Sequence, residues 1–199
     1  MENFPLFLIM IRFMSGPTLI VGHYLNMHIG WYIVTLIVGF LSDVFDGIIA
    51  RILGIATNSL RLLDSWADIT FYTCMFLVAY LRYGSQLHGL IILVALLVLV
   101  DSSRYIFDKI KFGKRASYHM YSAKACGLLL FAGFAELFYT DRIGVILYLA
   151  LILGVFTDLE CFAASIVLSR WQTDVPSIYH AVKLEKARNS STRNFVADP

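Results

Sequence analysis

Apolar residues run along this chain in blocks of about twenty, each closed by a short polar or glycine-bearing break. The blocks fall at about 8–27, 30–53, 62–83, 86–107, 118–139 and 142–169. The breaks between them read HYLNMHIG, GIATNSL, RYGSQLHG, DKIKFGKRAS and YTDR. A helix rises about 1.5 Å per residue and a bilayer core is about 30 Å thick, so a block of this length is one membrane crossing. The pattern predicts an all-α integral membrane protein with six transmembrane helices in a single bundle over residues 1–170. Residues 171–199 are polar and are expected to be part helix, part unstructured tail.

Composition agrees with lipid as the solvent. Hydrophobic residues make up 59% of the chain and charged residues 15%, with a mean hydropathy of +0.73. A soluble domain carries roughly 45–50% apolar and about 25% charged residues. The formal net charge is only +2, and no basic cluster of the kind that binds nucleic acid is present. Cys74, Cys126 and Cys161 stand singly in apolar segments and read as small buried hydrophobes, not as a disulfide framework or metal ligands. No removable signal peptide is expected at the N-terminus.

Charge then fixes the orientation. The loops after the second and fourth blocks, with their flanks, hold Arg51, Arg61, Arg104, Lys109, Lys111, Lys114 and Arg115, whereas the opposite loops hold Arg82 and Arg142. Basic residues favour the cytoplasmic side, so both termini and the first set of loops are expected there.

The stretch SDVFDGIIARILGIATNSLRLLDSWAD, residues 42–68, falls on that side and carries four aspartates. Asp43, Asp46, Gly47 and Ala50 follow i, i+3, i+4, i+7 and share one helical face. Asp64 and Asp68 form an i, i+4 pair on the first turns of the next helix. The linker is short enough to make the two helices antiparallel neighbours with their acidic faces opposed. Four facing carboxylates at membrane depth repel and lose hydration, a conflict that divalent metal removes. Oxygen-only ligands select a hard ion, Mg²⁺ or Mn²⁺. Gly47 and Ala50 leave the face bare for a bulky ligand, and Arg51 adds a planar cation suited to phosphate. Metal, phosphate and a spare carboxylate compose a phosphoryl-transfer site. The plainer reading is that these carboxylates cap helices or mark the interface, Asp64 as a partner of a helix N-terminus.

The run Asp43-x-x-Asp46-Gly47-x-x-Ala50-Arg51, followed by Asp64-x-x-x-Asp68, resembles the signature of the CDP-alcohol phosphotransferases, six-span membrane enzymes of phospholipid synthesis. Seven of eight fixed positions match; the departure is Leu60, where the family pattern has a glycine that lets the chain pass close to the nucleotide. The resemblance implies that an alcohol attacks the lipid-bearing phosphorus of CDP-diacylglycerol and CMP leaves. It implies that Asp43, Asp46, Asp64 and Asp68 hold the metal, that Asp68 is also the general base, and that Gly47, Ala50 and Arg51 line the nucleotide pocket. It implies a homodimer as well, although no stretch marks an interface. The expected location is a bacterial inner membrane, with the active site facing the cytoplasm.

The acceptor is less defined. The loop KIKFGKRASYHMYSAK leads into the fifth block, and Lys114, Arg115, His119 and Lys124 could cup an anionic acceptor such as glycerol phosphate or inositol phosphate. Serine and inositol stay open, and Lys109 and Lys111 read as ordinary positive-inside residues. Pro5 and Arg12 are similar to the family's N-terminal motif, but Leu6 and Ile9 replace its polar members; Arg12 either touches a phosphate or marks the interface. Asp101 and Arg104 read as an i, i+3 pair, and of Asp158 and Glu160 only one can face a site. Three alternatives remain: a UbiA-like prenyltransferase, whose aspartate motifs lie farther apart; a cation carrier, for which no charges continue across the bundle; and a catalytically inactive relative.

Overall fold

The computed structural model describes residues 4–54, 57–118 and 120–196, with the side chains of residues 50, 51, 58, 59, 61, 189 and 191–196 outside the description. His119, and the side chains of Ala50 and Arg51, therefore lie outside the described residues. Six helices follow in chain order: α1 (Phe4–Tyr24), α2 (Ile29–Ile52), α3 (Asn58–Phe112), α4 (Tyr121–Thr140), α5 (Val145–Val167) and α6 (Ile178–Val196). The described residues form no β-strand, only one isolated bridge between Ser117 and Thr173.

Five of the helices are long and apolar enough to cross a membrane, α6 being the exception. Large side chains stand uncovered along them, among them Phe7 (59% exposed), Ile92 (73%) and Val145 (71%), as expected where lipid covers the surface. The third and fourth sequence blocks emerge as one element. The apolar run Leu62–Phe112 has 51 residues, about 75 Å of helix and more than one crossing needs. Its backbone leaves helical geometry at Tyr83 (φ −126°, ψ 20°), inside the polar break that separates the two blocks. That break contains no proline, so helical hydrogen bonding resumes directly after one distorted residue.

The chain divides into two compact units, residues 1–88 with 131–144 and residues 89–130 with 145–199. In the first, α1 and α2 form a hairpin whose turn closes when the Met27 amide donates to the Gly22 carbonyl (2.9 Å) and Asn26 takes a left-handed φ of 51°. Phe71 on α3 is buried and fills the space beside Gly39 of α2, where any Cβ would collide with its ring. A Cβ on Gly16 of α1 would lie 3.2 Å from the Phe71 and Thr70 backbone. The two glycines thus bring three helices together around Phe71, three residues beyond Asp68. At the other end of this unit Tyr32 stacks on Phe138 (5.3 Å) and the Tyr83 hydroxyl donates to Asp141 (2.6 Å).

The second unit is organised by its connections. Gly113 (φ +75°) ends α3, and the buried Asp108 accepts the Ala116 amide (3.1 Å), folding the basic loop back on its own helix. Lys111 donates to the Ser165 and Ile166 carbonyls, both at 2.9 Å, and so caps the exposed carbonyls at the end of α5. The segment after α5 clasps the loop. Trp171 Nε1 donates to the Arg115 carbonyl (3.1 Å), the Asp174 amide to the Ser117 carbonyl (3.2 Å) and the Tyr121 amide to the Pro176 carbonyl (3.1 Å). Met120, Cys161, Leu168, Val175 and Ala181 make a small apolar core beneath. Glu160 receives the Ile178 amide on one oxygen (3.2 Å) and the Ser122 hydroxyl on the other (2.6 Å), fixing the start of α6. Cys74, Cys126 and Cys161 are buried and form no disulfide, as their apolar surroundings suggested, and Cys126 Sγ donates to the Ala150 carbonyl (3.4 Å).

Candidate functional site

The acidic face forms because two loops set helices level with one another. Arg12 lies twelve residues before the end of α1 at Tyr24 and Asp43 fourteen after the start of α2 at Ile29, so both reach nearly the same depth across the hairpin. Asp46 lies six residues before the end of α2 at Ile52 and Asp64 six after the start of α3 at Asn58. The i, i+3 and i, i+4 spacings keep each pair on one face, and the faces meet. Carboxylate oxygens of Asp43, Asp64 and Asp68 all lie within 4.8 Å of one another. Asp46 is the buried member, its side chain 5% exposed.

At that separation two unit charges repel by roughly 3–4 kcal/mol in a medium of effective dielectric about 20. Four such charges do not gather without a cation among them. Arg12 supplies one from α1. It is buried, 1% exposed, and its guanidinium is paired to all four carboxylates. Nη1 meets Asp43 and Asp68, the latter at 3.1 Å; Nη2 meets Asp46 at 3.0 Å and also Asp64. The sequence left Arg12 between a phosphate contact and an interface marker, and the structure gives it a third place at the centre of the acidic cluster. The signal was available in principle: an arginine eight residues into an apolar helix must face the protein interior.

The donor set fits a hard divalent cation. It consists of carboxylate oxygens alone, close enough together for several to reach one ion, and no sulfur or imidazole belongs to it. Gly47 lies half-buried in α2 one residue beyond Asp46, and the helix continues through Ala50 and Arg51. Leu60, in the place of the expected glycine, is the third residue of α3, and the Thr57 hydroxyl caps the helix by accepting its amide (3.2 Å).

The basic residues belong to the other unit. Arg104 and Arg115 both donate to Asp101 Oδ1, at 2.8 and 2.7 Å. Arg104 is buried and its Nε has no hydrogen-bond partner. The Asp101–Arg104 pair anticipated from the sequence is therefore present, with Arg115 as a third member. Lys114 lies over the Trp171 ring, 3.4 Å from its centroid. Lys124 stands exposed on the first turn of α4, 5.8 Å from the Tyr121 ring. Tyr118 shares a 3.1 Å hydrogen bond with Ser165, and burial pushes its phenol above the ordinary range. Of the two carboxylates in α5, Glu160 is committed to holding α6 and Asp158 is half-buried one turn from the apolar core.

Comparison with known proteins points the same way. The family model described as CDP-alcohol phosphatidyltransferase matches residues 2–156, from the N-terminal end of the chain into α5, and takes in Arg12 and all four aspartates. No curated protein and no solved structure matches the chain.

Proposed function

The chain belongs to the CDP-alcohol phosphatidyltransferase family, membrane transferases of phospholipid synthesis that use divalent metal, and on that footing we propose that it transfers a phosphatidyl group from CDP-diacylglycerol to a polar alcohol and releases CMP. The observation that carries this reading is the meeting of Asp43, Asp64 and Asp68 within 4.8 Å on facing helices, with Asp46 buried beside them.

In this reading Asp43, Asp46, Asp64 and Asp68 hold Mg²⁺ or Mn²⁺. The bound ion neutralises the diphosphate and the departing CMP. Gly47, Ala50 and Arg51 line the cytidine diphosphate pocket, with no side chain at Gly47 to obstruct the nucleotide. Asp68 takes the proton of the incoming hydroxyl as its oxygen bonds to the lipid-bearing phosphorus and the bond from that phosphorus to CMP breaks. Arg115 and Lys114 recognise the acceptor, and their charge favours a phosphorylated polyol over serine or inositol; Lys124 is the third acceptor contact. In the same reading α3 counts as two crossings, which makes six spans, and the excess of Lys and Arg in the loops after the second and fourth apolar blocks favours a cytoplasmic active site and cytoplasmic termini.

The test is CMP release by the purified protein in lipid, with CDP-diacylglycerol, Mg²⁺ and single alcohols, beside the Asp68→Asn variant. Release with one acceptor, reduced by about a thousandfold or more in the variant while CDP-lipid still binds, is the expected result. Wild-type-like turnover in Asp68→Asn removes Asp68 from the base role, and CDP-lipid binding without release for any alcohol favours a relative that only binds.

A further inference from the structure

We propose that Arg12 is a built-in counter-ion of the acidic cluster, holding its carboxylates together until metal arrives and giving up its place when metal binds. Metal binding and release of Arg12 are then a single exchange. This rests on the reading of the four aspartates as metal ligands.

The geometry argues for exchange over coexistence. Both terminal nitrogens of Arg12 are spent on the same four carboxylates that would hold the ion. Three of those contacts use the Oδ1 atoms of Asp43, Asp64 and Asp68, the residues whose oxygens lie within 4.8 Å of one another. A hard divalent ion takes its oxygens at about 2.0–2.1 Å and needs the space between them, which the guanidinium fills. Two cations in one ring of carboxylates would also repel. Arg12 is held there incompletely. Its Nε is buried with no hydrogen-bond partner among the described residues, so moving the guanidinium away forfeits ion pairs that metal replaces but no Nε bond to them. The side chain has a long, flexible methylene stem, and α1 keeps its guanidinium beside the cluster as a tethered cation whose local concentration never falls.

The arrangement has a use that a metal alone lacks. Four carboxylates without any cation would push α2 and α3 apart at the depth of the site, so a metal-free protein needs something to keep the ligands gathered. Arg12 does this from a third helix, whose approach depends on Gly16 and Phe71.

Mn²⁺ binding to the full-length protein in nanodiscs, read from the EPR signal of free Mn²⁺ with no substrate present, tests the exchange. Arg12→Met removes the competing charge at nearly constant volume, and Arg12→Lys keeps a charge that reaches fewer carboxylates. Expected is Mn²⁺ affinity at least about tenfold tighter in Arg12→Met than in wild type, with Arg12→Lys between them. Without metal, Arg12→Met should melt below wild type, and Mn²⁺ should raise its Tm by more. Unchanged or weaker Mn²⁺ binding in the variants, while wild type binds, overturns the exchange and leaves the metal site standing. If Arg12→Met does not fold, Arg12→Lys decides alone by the same criterion. No Mn²⁺ binding by wild type or either variant overturns the metal reading and the exchange together.

Discussion

The two units of this protein each gather charge near the end of apolar helices, and they balance it differently. In the first, one buried guanidinium serves four carboxylates from α2 and α3. In the second, Asp101 Oδ1 accepts from two guanidiniums, Arg104 and Arg115, and Asp158 of α5 lies near enough to attract both. Like charges held close need a cation among them, whereas opposite charges in balance neutralise one another. The first cluster keeps its carboxylates close around Arg12, and the second sets two carboxylates beside two guanidiniums.

The strongest way to break that comparison is to remove one carboxylate from each cluster. Asp46→Asn keeps shape in the buried acidic site but withdraws a ligand charge, and turnover should fall by about a thousandfold. Asp101→Asn leaves Asp158 facing Arg104 and Arg115, and turnover at saturating acceptor should stay within about tenfold of wild type. Both are read as CMP release in lipid at saturating acceptor. Equal losses would mean that the second cluster belongs to the catalytic machinery, or that the first is only structural.

A smaller effect sharpens the second half of the comparison. Arg115 is half-exposed, and the clasp from Trp171 to its carbonyl holds its backbone in place. A charge-assisted hydrogen bond to a phosphate is worth about 1.5–3 kcal/mol, so Arg115→Ala should raise the KM for a phosphorylated acceptor by roughly ten- to a hundredfold. The kcat should change little, and CDP-lipid binding not at all. A kcat loss with KM unchanged would remove Arg115 from acceptor recognition. Trp171→Ala, which loosens the loop and frees Lys114 from the ring but keeps every charge, should move KM in the same direction by less.

How much of this was legible in the sequence varies with the range of the interaction concerned. The apolar blocks announced every crossing-length stretch, because lipid demands about twenty apolar residues whatever they pack against. The polar break between the third and fourth blocks was legible as well, but not its form. A helix survives glycine, serine and histidine when no proline removes a hydrogen bond, and only Tyr83 departs from it. The gathering of Asp43, Asp46, Asp64 and Asp68 could be read because spacings of three and four residues are local facts on two helices joined by a short loop. That Arg12 faces the interior was legible from its place in an apolar helix, but its position among the four aspartates was not, since it depends on the register of α1 against α2 and on Gly16 and Gly39 admitting Phe71. Glu160 was opaque for the same reason. Its partner is the amide of Ile178, eighteen residues on, in a segment whose composition promised little more than a polar tail. The side chains of Ala50 and Arg51, and all of His119, stay outside the described residues, so their expected roles rest on the sequence.

The smallest predicted effect asks whether that C-terminal segment is held on its own account. Glu185 of α6 accepts the Ser169 hydroxyl at 2.6 Å and its amide at 3.2 Å, and pairs with Arg188 at 2.6 Å. The Ser169 hydroxyl bond, helped by the amide and by Arg188, holds the Glu185 carboxyl below its ordinary value of 4.5. A carboxyl depressed in the folded state adds stability that is fully present above its unfolded pKa and is lost as pH falls through the folded one. The contribution should therefore be intact at neutral pH and fade only below about pH 4.5, and for a group this close to water it should stay within about 1 kcal/mol. Glu185→Gln keeps the acceptor oxygen but not the charge. Its Tm should lie slightly below wild type at pH 7, and the two curves should converge as pH falls below about 4.5. Curves that stay parallel down to pH 3 would mean that the pairing contributes nothing through its charge. The clasp on the basic loop would then rest on Glu160, Trp171 and the small apolar core around Val175 and Ala181.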